Sequence, residues 1–236
     1  MRLIHPSLAL LPWILLSAGT PAPPIGFAFT NNDIKFYQVT NTNLFVQWNL
    51  SATGLSENAF TAAKKGFDHF NETQKLNKNS ILTIIDFSKA SNQKRLYVLD
   101  MQKGKLIFQS LVAHGQGSGS AFAVDFSNEA ESHKSSLGFF ITDAVYNGSN
   151  GYSLKLRGCE KGINDNAMNR AIVIHGADYV SQKFINQHGY LGRSHGCPAL
   201  PAALNKKIID VIKNGSCVFV YHPDKKYLTR SRILNQ

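Results

Sequence analysis

The chain has 236 residues, 43% apolar and 17% charged, with 25 basic against 15 acidic side chains and a formal charge of +10. That length carries one substantial domain whose core needs no disulfide staples, and the excess of apolar over charged residues excludes a disordered chain. The basic balance favours an anionic partner, but Lys and Arg form no stripe interleaved with aromatics, which argues against nucleic acid.

The N-terminus reads as an export signal, assigned to residues 1–28. Arg2 supplies the positive start, and Leu8 to Leu16 is an apolar run too short to span a bilayer. Small residues at Ser17-Ala18-Gly19 and at Gly26 to Ala28 fit cleavage sites. An uncleaved anchor or an ordinary buried segment is the alternative, but the prolines in Thr20-Pro21-Ala22-Pro23-Pro24 break the run before it could cross. No later segment is long and apolar enough to span a membrane. The expectation is a soluble protein exported to the periplasm or cell envelope. Without residues 1–28, 24 basic side chains face 15 acidic ones, a charge of +9. In that compartment the anionic candidates are cell-wall and membrane-surface polymers.

Residues 29–78 read as an N-terminal extension. Its first part, 31–49, is polar with scattered aromatics. Ser56 is a candidate N-cap with Glu57 in the first turn, and Ala59, Phe60, Ala63, Phe67 and Phe70 recur at helical spacing. This predicts a helix over 55–76 beside the main domain.

From 79 to 223 the period is mostly that of strands. Runs at 81–87, 95–100 and 105–114 are β-rich, and Met101 to Gly104 turns the last two into a hairpin. A Gly/Ser loop follows at 115–120. Its GxG is no nucleotide signature, because no helix opens after it. Strands are expected at 139–142, 152–156, 170–175 and 217–221, and a helix at 202–213 ended by Asn214-Gly215. Residues 224–236 read as a C-terminal tail. The fold class expected is mainly β with small helices (α+β), a sandwich or partly open barrel.

The chemistry concentrates in Gly192-Arg193-Ser194-His195-Gly196-Cys197-Pro198-Ala199-Leu200, and in His175-Gly176 at the end of the apolar run 171–174. A thiol in a Gly-bounded turn, with imidazoles and backbone N–H groups at hand, is the equipment of a cysteine acyl transferase. Cys197 is the candidate nucleophile. The helix after it is expected to aim its N-terminal dipole at the thiol, and that dipole and an imidazolium would both lower the thiol pKa. His175, displayed at a strand end, is the candidate base. Three roles are open to His195: substrate orientation, shaping the oxyanion turn, or a second base. His175, His195 and Cys197 could also be read as zinc ligands, but no CxxC or HExxH is present and no metal is assigned. Of the other thiols, Cys159 and Cys217 either pair with each other or lie buried and reduced; an odd count leaves at least one cysteine free.

These residues resemble the murein L,D-transpeptidase catalytic domain family (YkuD-like). Its signature is an upstream His-Gly or His-Ser followed by Ser/Thr-His-Gly-Cys. The elements here are His175-Gly176 and Ser194-His195-Gly196-Cys197, with base and nucleophile 22 positions apart. The likeness is closest to an exported bacterial branch carrying GRSHGCPAL. It extends through Ser132 to Gly138, Gly151 to Leu154 and Arg170 to Ala177, and so runs from about Gly54 to Tyr221. The chain departs from better-known members after the cysteine: Pro198-Ala199 stands where they carry an apolar residue and then Arg or Asn.

The resemblance implies an L,D-transpeptidase acting on peptidoglycan stem peptides without a cofactor. Cys197 would attack the carbonyl before a D-residue, and His175, oriented by the Gly176 carbonyl, would accept the thiol proton. Gly196 and Cys197 N–H groups would hold the oxyanion, with Ser194 shaping the turn. Arg193 is the candidate substrate contact that replaces the missing Arg or Asn. Hydrolysis in place of transfer, by an L,D-carboxypeptidase or another cysteine peptidase, is the alternative outcome of the same chemistry. A non-catalytic wall-binding protein is the alternative from another class.

Overall fold

The computed structural model describes residues 44–236. The expected signal at 1–28 and most of the polar lead-in lie outside them. Among the described residues eight strands form one sheet: β1 (Ile81–Asp86), β2 (Leu96–Asp100), β3 (Lys105–Ser110), β4 (Gly138–Gly148), β5 (Gly151–Gly158), β6 (Val173–Ala177), β7 (Ala199–Pro201) and β8 (Cys217–Tyr221). Their order is β3-β2-β1-β8-β4-β5-β6-β7. The pairing is antiparallel except for β1 with β8 and β6 with β7. The chain leaving β3 meets the far edge of the sheet, where Ala113 bridges Ala199 and Gly115 bridges Ser194. The two edges are thereby stitched together, and the sheet becomes a nearly closed barrel with few helices, as expected.

β1 and β8 are buried at every residue. Strands covered on both faces need near-continuous apolar runs, which CVFVY supplies outright and ILTIID supplies apart from the buried Thr83 and Asp86. One cover is α1 (Glu57–Glu72), whose N-cap Ser56 accepts the Ala59 N–H and which packs on β1 and β8. Gly66 lets this helix lie directly on the Phe139 ring, which stacks in turn on Phe219 with centroids 4.2 Å apart. The other cover is α3 (Ala202–Ile212), packed on β6.

Three expectations need correction. First, α1 does more than lie beside the main domain: Phe60, Phe67 and Phe70 share one core with Ile84 and Phe139. Second, the tail at 224–236 is built in. Asp224 caps α4 (Lys225–Arg230), and Tyr227 and Ser231 donate to the buried Glu160 carboxylate. Third, α2 (Gln182–His188) and β7 were not foreseen. Both are short, below the length at which periodicity can speak.

The cysteines are all free. Cys159 follows β5 and Cys217 opens β8, and β4 lies between those two strands. Backbones two strands apart are separated by about 9.5 Å, beyond the ~7 Å a disulfide can bridge.

Candidate active site

The nucleophile turn is held on all sides. Ser194 N–H donates to the His114 carbonyl and its own carbonyl accepts from Gln116, so the turn is fastened to the connection between β3 and β4. The Ser194 hydroxyl accepts the Gly196 N–H at 3.1 Å and donates to the Cys197 carbonyl at 2.6 Å, folding the turn on itself. The Gly196 carbonyl accepts from the Ser135 hydroxyl. Gly196 has φ +120°, and a Cβ there would stand 2.9 Å from the Lys134 carbonyl oxygen. Backbone strain and contact together reserve the position for glycine.

The Cys197 sulfur rests against the start of β6. It accepts the Val173 N–H at 3.5 Å and lies 3.7 Å from the Ala171 carbonyl. Two residues along the same strand stands the buried His175, in register with Ala199 of β7. Its Nδ1 is 3.0 Å from the Gly176 carbonyl oxygen. A carbonyl can only accept, so Nδ1 carries the proton and Nε2 is left as the basic nitrogen. A Cβ on Gly176 would press on Asn205 of α3 at 3.1 Å, so this strand end is packed as well as bonded.

The electrostatics differ from expectation. Burial pushes the Cys197 thiol up; the Val173 N–H and the Arg170 guanidinium pull it down. The helix dipole expected behind the cysteine is not adjacent to it, because β7 intervenes and α3 opens only at Ala202. The charged group that pulls the thiol down is the Arg170 guanidinium. His195 is exposed, its ring stacked on that of His133 at 4.3 Å and 8°.

Arg193 is exposed too. Its guanidinium donates to the Gly119 carbonyl and covers the Tyr190 ring. Of the oxyanion donors expected, the Gly196 N–H is already committed to Ser194. Among the described residues, no acceptor is paired with the Cys197 N–H. Pro198 and Ala199 are buried, and Ala199 bridges Ala113 to close the barrel. The two residues after the nucleophile therefore serve the fold rather than a substrate. A cleft of about 390 Å³ lined by Phe126, Ser127, Tyr227 and Arg230 lies apart from the thiol, and neither Cys197 nor His175 lines it. Among the described residues no group of His, Cys, Asp or Glu side chains could hold a metal, and no helix is long and apolar enough to cross a membrane.

Sequence reasoning left Arg170 and Ser135 without roles. Ser135 accepts the Gly115 N–H and donates to Gly196, joining three segments remote in the chain. Arg170 was visible as an isolated base ahead of the apolar run that ends in His175. Nothing in its neighbourhood in the sequence tied it to the thiol.

Residues 51–221 match the L,D-transpeptidase catalytic domain. No curated protein matches the chain. Among solved structures, an L,D-transpeptidase from Mycobacterium smegmatis is 13% identical with a TM-score of 0.37, covering 61% of this chain and 59% of its own. The L,D-transpeptidase of Xylanimonas cellulosilytica is 17% identical with a TM-score of 0.37, covering 60% of each chain. The helical cell shape determining protein Pgp2 of Campylobacter jejuni is 15% identical with a TM-score of 0.40, covering 62% of this chain and 49% of its own. The chain thus spans half to three fifths of the length of these proteins.

Proposed function

The chain belongs to the L,D-transpeptidase catalytic domain family, and we propose that it is a cysteine-dependent peptidoglycan L,D-transpeptidase working outside the cytoplasm. The observation that carries this reading is one strand serving both partners: β6 gives its Val173 N–H to the Cys197 sulfur and displays His175 two residues later.

In the proposed reaction the Cys197 sulfur adds to the carbonyl that precedes a D-amino acid in a stem peptide, while its proton passes to Nε2 of His175. The Cys197 N–H stabilises the oxyanion, a type of contact worth about 3–4 kcal/mol in other acyl transferases. As the C–N bond breaks, His175 returns the proton to the departing amine and a thioester remains. An acceptor amine then attacks the thioester, His175 takes the amine's proton, and the Cys197 thiolate leaves. The Nδ1 contact with the Gly176 carbonyl supports this use of Nε2 by holding the ring in one tautomer. The positive charge of +9 beyond residue 28 would hold the protein near anionic wall polymers.

The test is mass spectrometry of purified muropeptides incubated with the protein. Cross-linked dimers are the expected product. Shortened stems alone would turn the reading to L,D-carboxypeptidase, and unchanged muropeptides would overturn it in favour of a wall-binding protein.

A further inference from the structure

Arg170 lies in the connection between β5 and β6, just before the strand that contacts the thiol. It is bound unusually fully for a residue of that kind. Nη1 donates to the Ser127 carbonyl at 2.7 Å and the Ser136 hydroxyl at 2.6 Å. Nη2 donates to the Lys134 carbonyl at 2.7 Å and the Ser132 hydroxyl at 3.2 Å. Every one of these acceptors is neutral. Among the described residues no carboxylate forms an ion pair with Arg170. A half-buried guanidinium keeps its charge, so here a cation is held rigidly with no counter-ion.

Its position gives that charge an object. The guanidinium packs on the nucleophile turn, since a Cβ on Gly196 would lie 3.4 Å from Nη2. We propose that Arg170 is a positioning residue for the Cys197 nucleophile: its guanidinium, held in place by four hydrogen bonds to residues 127–136, is the fixed positive charge that the sulfur faces as a thiolate. The assignment rests on the reading of Cys197 as the nucleophile. The two groups act on each other reciprocally: Arg170 pulls the thiol down against burial, and the thiolate supports the charge of Arg170.

The other candidates are engaged elsewhere. The Lys134 ammonium pairs with Asp125, His195 stacks on His133, and Arg193 is bound at Gly119. Tyr179 is a second titratable group that senses the sulfur. Its hydroxyl is pushed up to about 12 by burial and by the thiolate, so it stays neutral at physiological pH. His175, on β6, supplies the base.

The test is the rate of alkylation of Cys197 by iodoacetamide across pH, with the modified cysteine identified by peptide mass. An opposite charge close by shifts a pKa by about 1–3 units, so R170Q should alkylate about tenfold more slowly than wild type at neutral pH. It should rejoin the wild-type rate on the alkaline plateau, where every thiol is ionised. R170M is a second neutral variant should glutamine disturb folding, and R170K, which keeps the charge, should restore the neutral-pH rate. Neutral variants that follow the wild-type profile would overturn the proposal. So would neutral variants that are slow at every pH, plateau included, because that pattern reports lost geometry rather than lost charge. The measurement needs no wall substrate. Failure of the nucleophile reading would show separately, as wild-type turnover in C197A.

Discussion

The backbone N–H of Val173 donates to the Cys197 sulfur at 3.5 Å. The strand that carries the candidate base at its middle thus touches the candidate nucleophile at its beginning. Two residues 22 positions apart in the sequence are thereby tied to one strand, and rigid support is what holds a base and a nucleophile in productive geometry.

Cys197→Ala should abolish muropeptide turnover and leave the melting temperature near that of wild type, because the sulfur is only partly buried and its bonds are to backbone. Product formation by mass spectrometry and a thermal melt check both halves. A folded variant that still turns over would remove the thioester from the mechanism.

His175→Ala should lower kcat by about 10²–10⁴-fold, the usual contribution of a general base, and slow Cys197 alkylation near neutral pH. His195→Ala should do much less, since its ring lies on His133 at the surface. Larger losses in the His195 variant than in the His175 variant would reverse the assignment.

Stability should fall on mild acidification because of His114. This imidazole is fully buried, accepts from Arg95 at 2.7 Å through Nδ1, and is pushed down to about 3 by burial and the Arg95 charge. The unfolded chain takes up a proton below about pH 6.5 that the folded chain refuses until about pH 3. Folding stability contributed by this site is therefore complete above the unfolded pKa. It declines as pH falls, by up to about 1.4 kcal/mol per pH unit. Denaturant titrations between pH 7 and pH 5 should show this slope in wild type. His114→Gln should lack that component, and equal slopes in both proteins would refute it.

Gly66→Ala should destabilise the protein although alanine favours a helix by about 1 kcal/mol over glycine. The added Cβ would meet Phe139 Cε1 at 2.1 Å, in a ring held between Phe70 and Phe219. Overpacking of that kind costs about 1–3 kcal/mol, so a lowered melting temperature is expected. A raised one would show that the ring can move aside.

The sequence by itself determined the elements whose physics is local. Ser56 and the apolar spacing from Ala59 to Phe70 specify α1. The largely apolar runs of β1 and β8 specify central strands, and Gly192 and Gly196 ahead of Cys197 mark a turn at the thiol. It also singled out Cys197 and His175, because reactive side chains bounded by glycine stand out from any surface pattern. Only the tertiary structure decided the environment of the thiol. Whether Arg170, His195 or a helix end stands beside the sulfur depends on how the 159–172 and 111–137 connections close over the barrel edge, through contacts such as Ser135 to Gly196 and Arg170 to Ser136. Those contacts join residues far apart in the chain, and hydrogen bonds of that kind leave no periodicity to read. The same holds for α4 and Glu160: a short helix of mixed residues became part of the core only because a buried carboxylate required the hydroxyls of Tyr227 and Ser231.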